Sequence, residues 1–198
     1  MNVNLLFKSL KDIRISWPAY AAGLILYAYL ITSIYPTLFR DSTEFLRLLE
    51  SYPESILKIF GGGTANLATV EGFLALEMFA LMWIIIAGAF VIAYATGVIA
   101  KEIESGTIEM LLSQPITRVS ALVTKSIVLF AGTIGLVIVT LLATYLTGLA
   151  VDIELKPEGV VALGIVGSLF FLAIGSYSLL FSVIFGERGR AAFTSAGL

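Results

Sequence analysis

Four runs free of charged side chains divide the chain: Trp17 to Phe39, Met78 to Ala100, Ser126 to Val151 and Val160 to Gly186. A helix rises about 1.5 Å per residue and the hydrocarbon layer is about 30 Å thick, so roughly 20 residues suffice to cross it. Each run exceeds that length. The runs are apolar on every face, without the in-out alternation of a transmembrane barrel strand. Lipid offers the backbone no partner but itself, so each run is predicted to be a helix. The pattern predicts an all-α, polytopic transmembrane helical bundle with four complete spans.

Composition agrees. Apolar residues make up 59% of the chain and charged residues 13%, against roughly 25% charged in soluble domains. With a mean hydropathy of +0.99, the chain has too little polar side chain to cover a water-facing surface. It has no histidine and no cysteine, which removes imidazole bases, thiolate nucleophiles, Cys/His zinc sites and disulfides. A net charge of −2 gives no electrostatic footprint for nucleic acid.

The few charges carry orientation. With the N-terminus inside, the inner segments hold Lys8, Lys11, Arg14, Lys101, Arg118, Lys125, Arg188 and Arg190, and the outer ones only Arg40, Arg47, Lys58 and Lys156. This bias places the N-terminus in the cytoplasm of a cell whose cytoplasmic membrane holds the protein. The first run is longer than a signal-peptide core and no small-residue cleavage site closes it, so it reads as a retained helix. The residues from Ala191 to Leu198 are too few to span. They read as the start of a further helix in a longer chain, with a four-span protein ending in a short tail as the alternative.

Two segments between the runs carry pattern of their own. On the outer side, Asp41-Ser42-Thr43-Glu44 resembles a capping box, followed by Phe45, Leu48, Leu49 and Tyr52 at helical spacing. Pro53 suits the first turn of a second short helix, and Gly61-Gly62-Gly63 ends it. The expectation is a pair of helices lying on the outer leaflet. The glycines are not a phosphate loop, because no Gly-x-x-x-x-Gly-Lys-Ser/Thr pattern occurs in the chain. On the inner side, Glu102, Glu104 and Glu109 cluster where the second run ends. Gly106 permits a sharp turn, and Ser105 or Thr107 can cap the next helix. Ile108, Leu111 and Leu112 share one helical face. Pro115 bars a continuous helix into the third run, and Thr117 starts a new one. The spacing predicts a short amphipathic helix held beneath the membrane between two spans.

This inner segment resembles the permease subunits of ATP-binding-cassette exporters of the second type (ABC-2). Those permeases carry, after their second span, an acidic stretch followed by Gly-Thr-Leu/Ile-Glu, two leucines, a proline and Ser/Thr-Arg. Here the matching residues are Glu102, Glu104, Gly106, Thr107, Ile108, Glu109, Leu111, Leu112, Pro115 and Thr117-Arg118. Weaker likeness covers Tyr52-Pro53-Glu54 through Gly62 and Glu71-Gly72-Phe73. The resemblance implies a six-helix half-transporter that pairs with a second permease copy or paralogue. It also implies a separate cytoplasmic ATP-binding-cassette ATPase that docks on the helix after the second span. ATP would then be held by the partner and no cofactor by this chain. The sequence departs from the pattern in showing four spans.

Two readings from other classes compete: an anchoring protein that recruits a partner through the same inner helix, and a lipid-acting enzyme. Without His or Cys the enzyme would need paired carboxylates, Ser/Lys or an oxygen-held metal, and the acidic residues do not converge at one depth. Glu77 reads as an interfacial carboxylate just before the second run. Glycines at 132, 135, 148, 164, 167 and 175 read as helix-packing positions. Ser168, Ser176, Tyr177, Ser178 and Ser182 put hydroxyls into the fourth run, which either line a polar route or bond back to their own helix.

Overall fold

A computed structural model describes residues 3–39, 69–106 and 117–197. The short helices expected within 41–63 lie outside the described residues. Among the described residues there is helix and no strand, and four helices are long and apolar enough to cross a membrane. The all-α polytopic reading therefore holds.

The chain opens with α1 (Val3–Ile13), followed by α2 (Ser16–Phe39). The second long helix, α3, runs Val70–Gly97, and a separate short helix, α4, runs Ala100–Glu104. The remaining elements are α5 (Arg118–Ala150), α6 (Pro157–Phe185) and α7 (Arg188–Ala196). Two of these differ from the uncharged runs. Helix α3 begins at Val70 rather than Met78, because Thr69 caps it: its Oγ1 accepts from Gly72 N at 3.1 Å. Helix α5 begins at Arg118 and takes in Lys125. A hydropathy boundary stops at the last charge, whereas a helix stops where its backbone bonds do.

Glu77 consequently lies inside α3, in a π-helical stretch (Ala75–Met82) and exposed, rather than before the helix. Such stretches shift the carbonyl partners by one residue. Here the Tyr27 hydroxyl donates to the Glu77 carbonyl at 2.7 Å.

Helix α1 was not among the expected elements. Its Leu5, Ser9 and Ile13, spaced four apart, are buried, while Phe7 and Leu10 are exposed beside Lys8 and Lys11. This pattern of one packed stripe and a mixed apolar-basic outer face is that of a helix lying in a membrane interface.

The helices divide between two compact units. One comprises residues 1–20, 87–137 and 165–198. Its core holds Phe90, Val91, Leu129, Leu136 and Phe171, all 2% exposed or less. Small residues admit larger ones here: the Trp17 indole donates to the Gly132 carbonyl at 2.8 Å, and a Cβ on Gly135 would stand 3.1 Å from the same ring. Lipid gives little apolar drive for helix association, so such close approach supplies the contact energy. The other unit comprises residues 21–86 and 138–164. Its core contains Leu24, Met78, Trp83 and Leu141. The turn after α5 is closed by Ile153 N donating to Gly148 O at 2.8 Å, with Asp152 at a positive φ of 57°. This is a Schellman-type end.

Large apolar residues remain exposed in rows: Ile138, Leu142 and Leu146 on α5, and Val161, Ile165 and Leu169 on α6. Apolar faces of that extent are not tolerated in water. They are the lipid-facing surface of a multi-pass membrane protein.

The packing gives a test. A Cβ on Gly175 would already meet Leu129 Cδ2 and Val91 Cγ1 at 3.3 Å, whereas one on Gly159 meets nothing within 4 Å. Gly175→Leu is expected to cost about 1–3 kcal/mol through overpacking. Gly159→Ala is expected to be neutral or stabilising by up to about 1 kcal/mol. Thermal unfolding in detergent measures both.

Candidate coupling site

A helix end inside a membrane protein leaves carbonyls without partners, and in a low dielectric each one is costly. Helix α3 ends at Gly97, and only Val98 and Ile99 separate it from α4. Three side chains from three other helices meet that end. From α5, Lys125 Nζ donates to the Val98 carbonyl at 2.8 Å. From α6, the Ser182 hydroxyl donates to the Thr96 carbonyl at 2.9 Å. From α7, Arg188 Nη2 donates to the Ala93 carbonyl at 3.2 Å. Two of the three are cations at the negative end of a helix dipole, the favourable sign.

Ser182 works in both directions. Its Oγ also accepts from Ile99 N at 3.2 Å and Ala100 N at 3.0 Å, so a single hydroxyl closes α3 and opens α4. The serines of α6 therefore divide. Ser176 bonds back to the Leu172 carbonyl of its own helix at 2.7 Å. Ser182 does neither of the two things expected: it bridges to another helix. The sequence offered only a hydroxyl in an apolar run, and its partners are 82 residues or more away.

Lys125 reaches further. Its Nζ lies 3.1 Å from Glu102 Oε1, with the lysine side chain 8% exposed and the glutamate 15%. Lys8 of α1 approaches the same oxygen at 3.8 Å. Glu102 thus turns inward to join α1, α4 and α5, all within the first unit. Partly buried charges of this kind are held by pairing, and removing one partner leaves the other exposed to the full desolvation cost. Sequence pattern singled out Glu102, whereas Lys125 stood only as a topological marker. A lysine seven residues inside an apolar helix was the available signal.

Beyond α4 the chain turns at Gly106, whose φ of +70° is the left-handed backbone that glycine accepts readily. Ser105 is the C-cap residue of α4. Its hydroxyl donates back to the Lys101 carbonyl at 2.7 Å. Glu104 is exposed. Thr107, Ile108, Glu109, Leu111, Leu112 and Pro115 lie outside the described residues, so the expected amphipathic helix does too. The description resumes at Thr117, whose Oγ1 accepts from Ser120 N at 3.2 Å to cap α5. Arg118 is the first residue of that helix. The two ends of the segment are therefore fixed to the bundle, one by the Lys125–Ser182–Arg188 set and the other by the Thr117 cap.

Past α6, Gly186 turns at φ +60° and α7 follows. Tyr177 of α6 donates to the Ser195 carbonyl at 3.2 Å, and Ala191 and Ser195 are buried. The last described helix thus packs against the bundle as a structural element.

The family described as ABC-2 family transporter protein matches residues 4–198. The chain belongs to the ABC-2 transporter family. Neither the curated proteins nor the solved structures gave a match. The protein is thus a membrane protein of the ABC-2 transporter class, and the four helices among the described residues that are long and apolar enough to cross a membrane fit a permease-type chain.

Ser182→Ala leaves two backbone N–H groups and the Thr96 carbonyl without that partner. It is expected to lower stability by about 1–3 kcal/mol. Ser176→Ala, which removes only a bond within its own helix, is expected to be nearly neutral. Denaturation of the two variants in the same detergent compares them.

Proposed function

We propose that this protein is the membrane-spanning half of an ATP-driven exporter of the cytoplasmic membrane, with its N-terminus in the cytoplasm. A separate cytoplasmic ATP-binding-cassette ATPase binds and hydrolyses ATP and seats against the segment 101–118. A second permease, identical or paralogous, completes the pore. Family membership supports the permease role. The observation that supports the coupling role is the anchoring of the chain that leads into that segment: Val98, Ala100 and Ala93 are bonded to α5, α6 and α7 respectively, and Glu102 within the segment pairs with Lys125. A push delivered between Gly106 and Thr117 has no slack helix end to dissipate into. It reaches helix α3 through the Lys125 and Ser182 bonds, and α1 through Glu102. In this reading Glu102 acts inside the bundle as a strut. Glu104, Thr107, Ile108, Glu109, Leu111 and Leu112 form the face offered to the ATPase. Gly106 and Pro115 set the ends of that face, and Arg118 begins the helix that receives it.

Gly106→Pro removes the left-handed turn, and Glu109→Lys reverses charge on the proposed docking face. With the cognate ATPase co-expressed in membranes, both variants are expected to insert normally and to lower transport per ATP hydrolysed by about tenfold or more. Unchanged coupling in both would rule out the assigned role. Co-purification with no ATPase at all would favour the anchoring alternative. Because the chain has no cysteine, single-cysteine variants report sidedness directly. Ser105→Cys is expected to react with a membrane-impermeant maleimide only from the cytoplasmic side, and Asp152→Cys only from the opposite side.

A further inference from the structure

Beside the anchored helix end lies a cavity of about 370 Å³, wholly within the first unit and lined from α1, α2, α3, α4, α5 and α7. Cavities of this size hold small organic ligands. Its charge is unbalanced. Among the described residues, Lys8, Lys101, Lys125 and Arg188 line it against the carboxylates Asp12 and Glu102, a surplus of two positive charges. The Lys125–Glu102 pair is committed internally, and Lys8 shares Glu102. Lys101 has no ion pair among the described residues, and Arg188 uses one guanidinium nitrogen on Ala93, leaving further donors. A concave site with surplus lysine and arginine charge is suited to a phosphate group, which arginine binds in bidentate fashion and lysine as a point charge.

The surroundings narrow the source. Lys8 sits on α1 next to Phe7, which is 67% exposed, and Ile15 just before α2 is 74% exposed. Exposed apolar side chains adjacent in sequence to residues that line a cationic cleft suit a molecule with an anionic head and hydrocarbon tails. Basic pockets between spanning helices take such headgroups.

We propose that this cleft binds an anionic phosphate ester, the headgroup of an acidic phospholipid, with Lys101 and Arg188 as its principal contacts. The bound phosphate neutralises the surplus charge next to the α3 end. Its occupancy would therefore be felt by the same set of bonds that fixes the segment beyond Gly106.

The test uses the purified full chain in a neutral detergent, titrated separately with dioctanoyl phosphatidylglycerol, dioctanoyl phosphatidylcholine and inorganic phosphate while thermal unfolding is followed. Phosphatidylglycerol is expected to protect with an apparent affinity at least tenfold above that of phosphatidylcholine. Lys101→Gln combined with Arg188→Gln is expected to weaken that protection at least tenfold. Lys101→Gln alone, at an exposed position, gives the same direction should the double variant not fold, and Lys101→Arg restores it. Protection by inorganic phosphate as strong as by the lipid keeps the phosphate site and makes free phosphate its source. Equal protection by the two lipids with none by phosphate, or protection unchanged in Lys101→Gln, overturns the proposal.

Discussion

The packing around the end of α3 depends on one constraint: a spanning helix that stops must hand its last carbonyls to something other than water. Helix α3 stops at Gly97, and the carbonyls of Ala93, Thr96 and Val98 are each met by a side chain from a different helix. A hydrogen bond to a charged donor contributes about 1.5–3 kcal/mol net, and leaving the acceptor bare costs on the same order. Two contacts of that kind, from Lys125 and Arg188, and one from the neutral Ser182 hydroxyl make the break a fixed joint rather than a frayed terminus. The short helix α4 and the turn at Gly106 take their position from that joint.

The arrangement also explains how so few charges suffice. Lys125 is a cation with its side chain only 8% exposed, and a buried charge without a partner is costly. A carbonyl and a carboxylate within 3.1 Å offset that cost. Glu102 in turn has two lysines, one from α1 and one from α5. Each charge is thus tolerated because another helix supplies its counterpart, and the pairs fix helix to helix where lipid removes the usual apolar drive for association.

Much of this was legible in the residues and some was not. The spans were visible because uncharged runs of that length have one stable conformation in lipid. Their ends were less so, since Thr69 and Thr117 set helix starts through hydroxyl caps that hydropathy does not register. Helix α1 was masked by its lysines, which interrupt the apolar pattern, although Leu5, Ser9 and Ile13 already stood at helical spacing. The turn at Gly106 was anticipated from glycine's freedom and is present. The roles of Lys125 and Ser182 were not readable, because their partners lie 23 to 86 residues away and no local pattern encodes a contact between separate spans. The ABC-2 likeness was carried by the densest polar motif in the chain, and the family match over residues 4–198 agrees with it.

The most direct measurement is the ratio of substrate moved to ATP hydrolysed when Lys125 is replaced by Met, a side chain of similar length without the charge, in membranes containing the partner ATPase. If the joint transmits motion, hydrolysis persists while transport falls by about tenfold or more, and Lys125→Arg recovers part of it. A Lys125→Met protein that inserts, folds and moves substrate at the original ratio would contradict the claim that this helix end is the mechanical link.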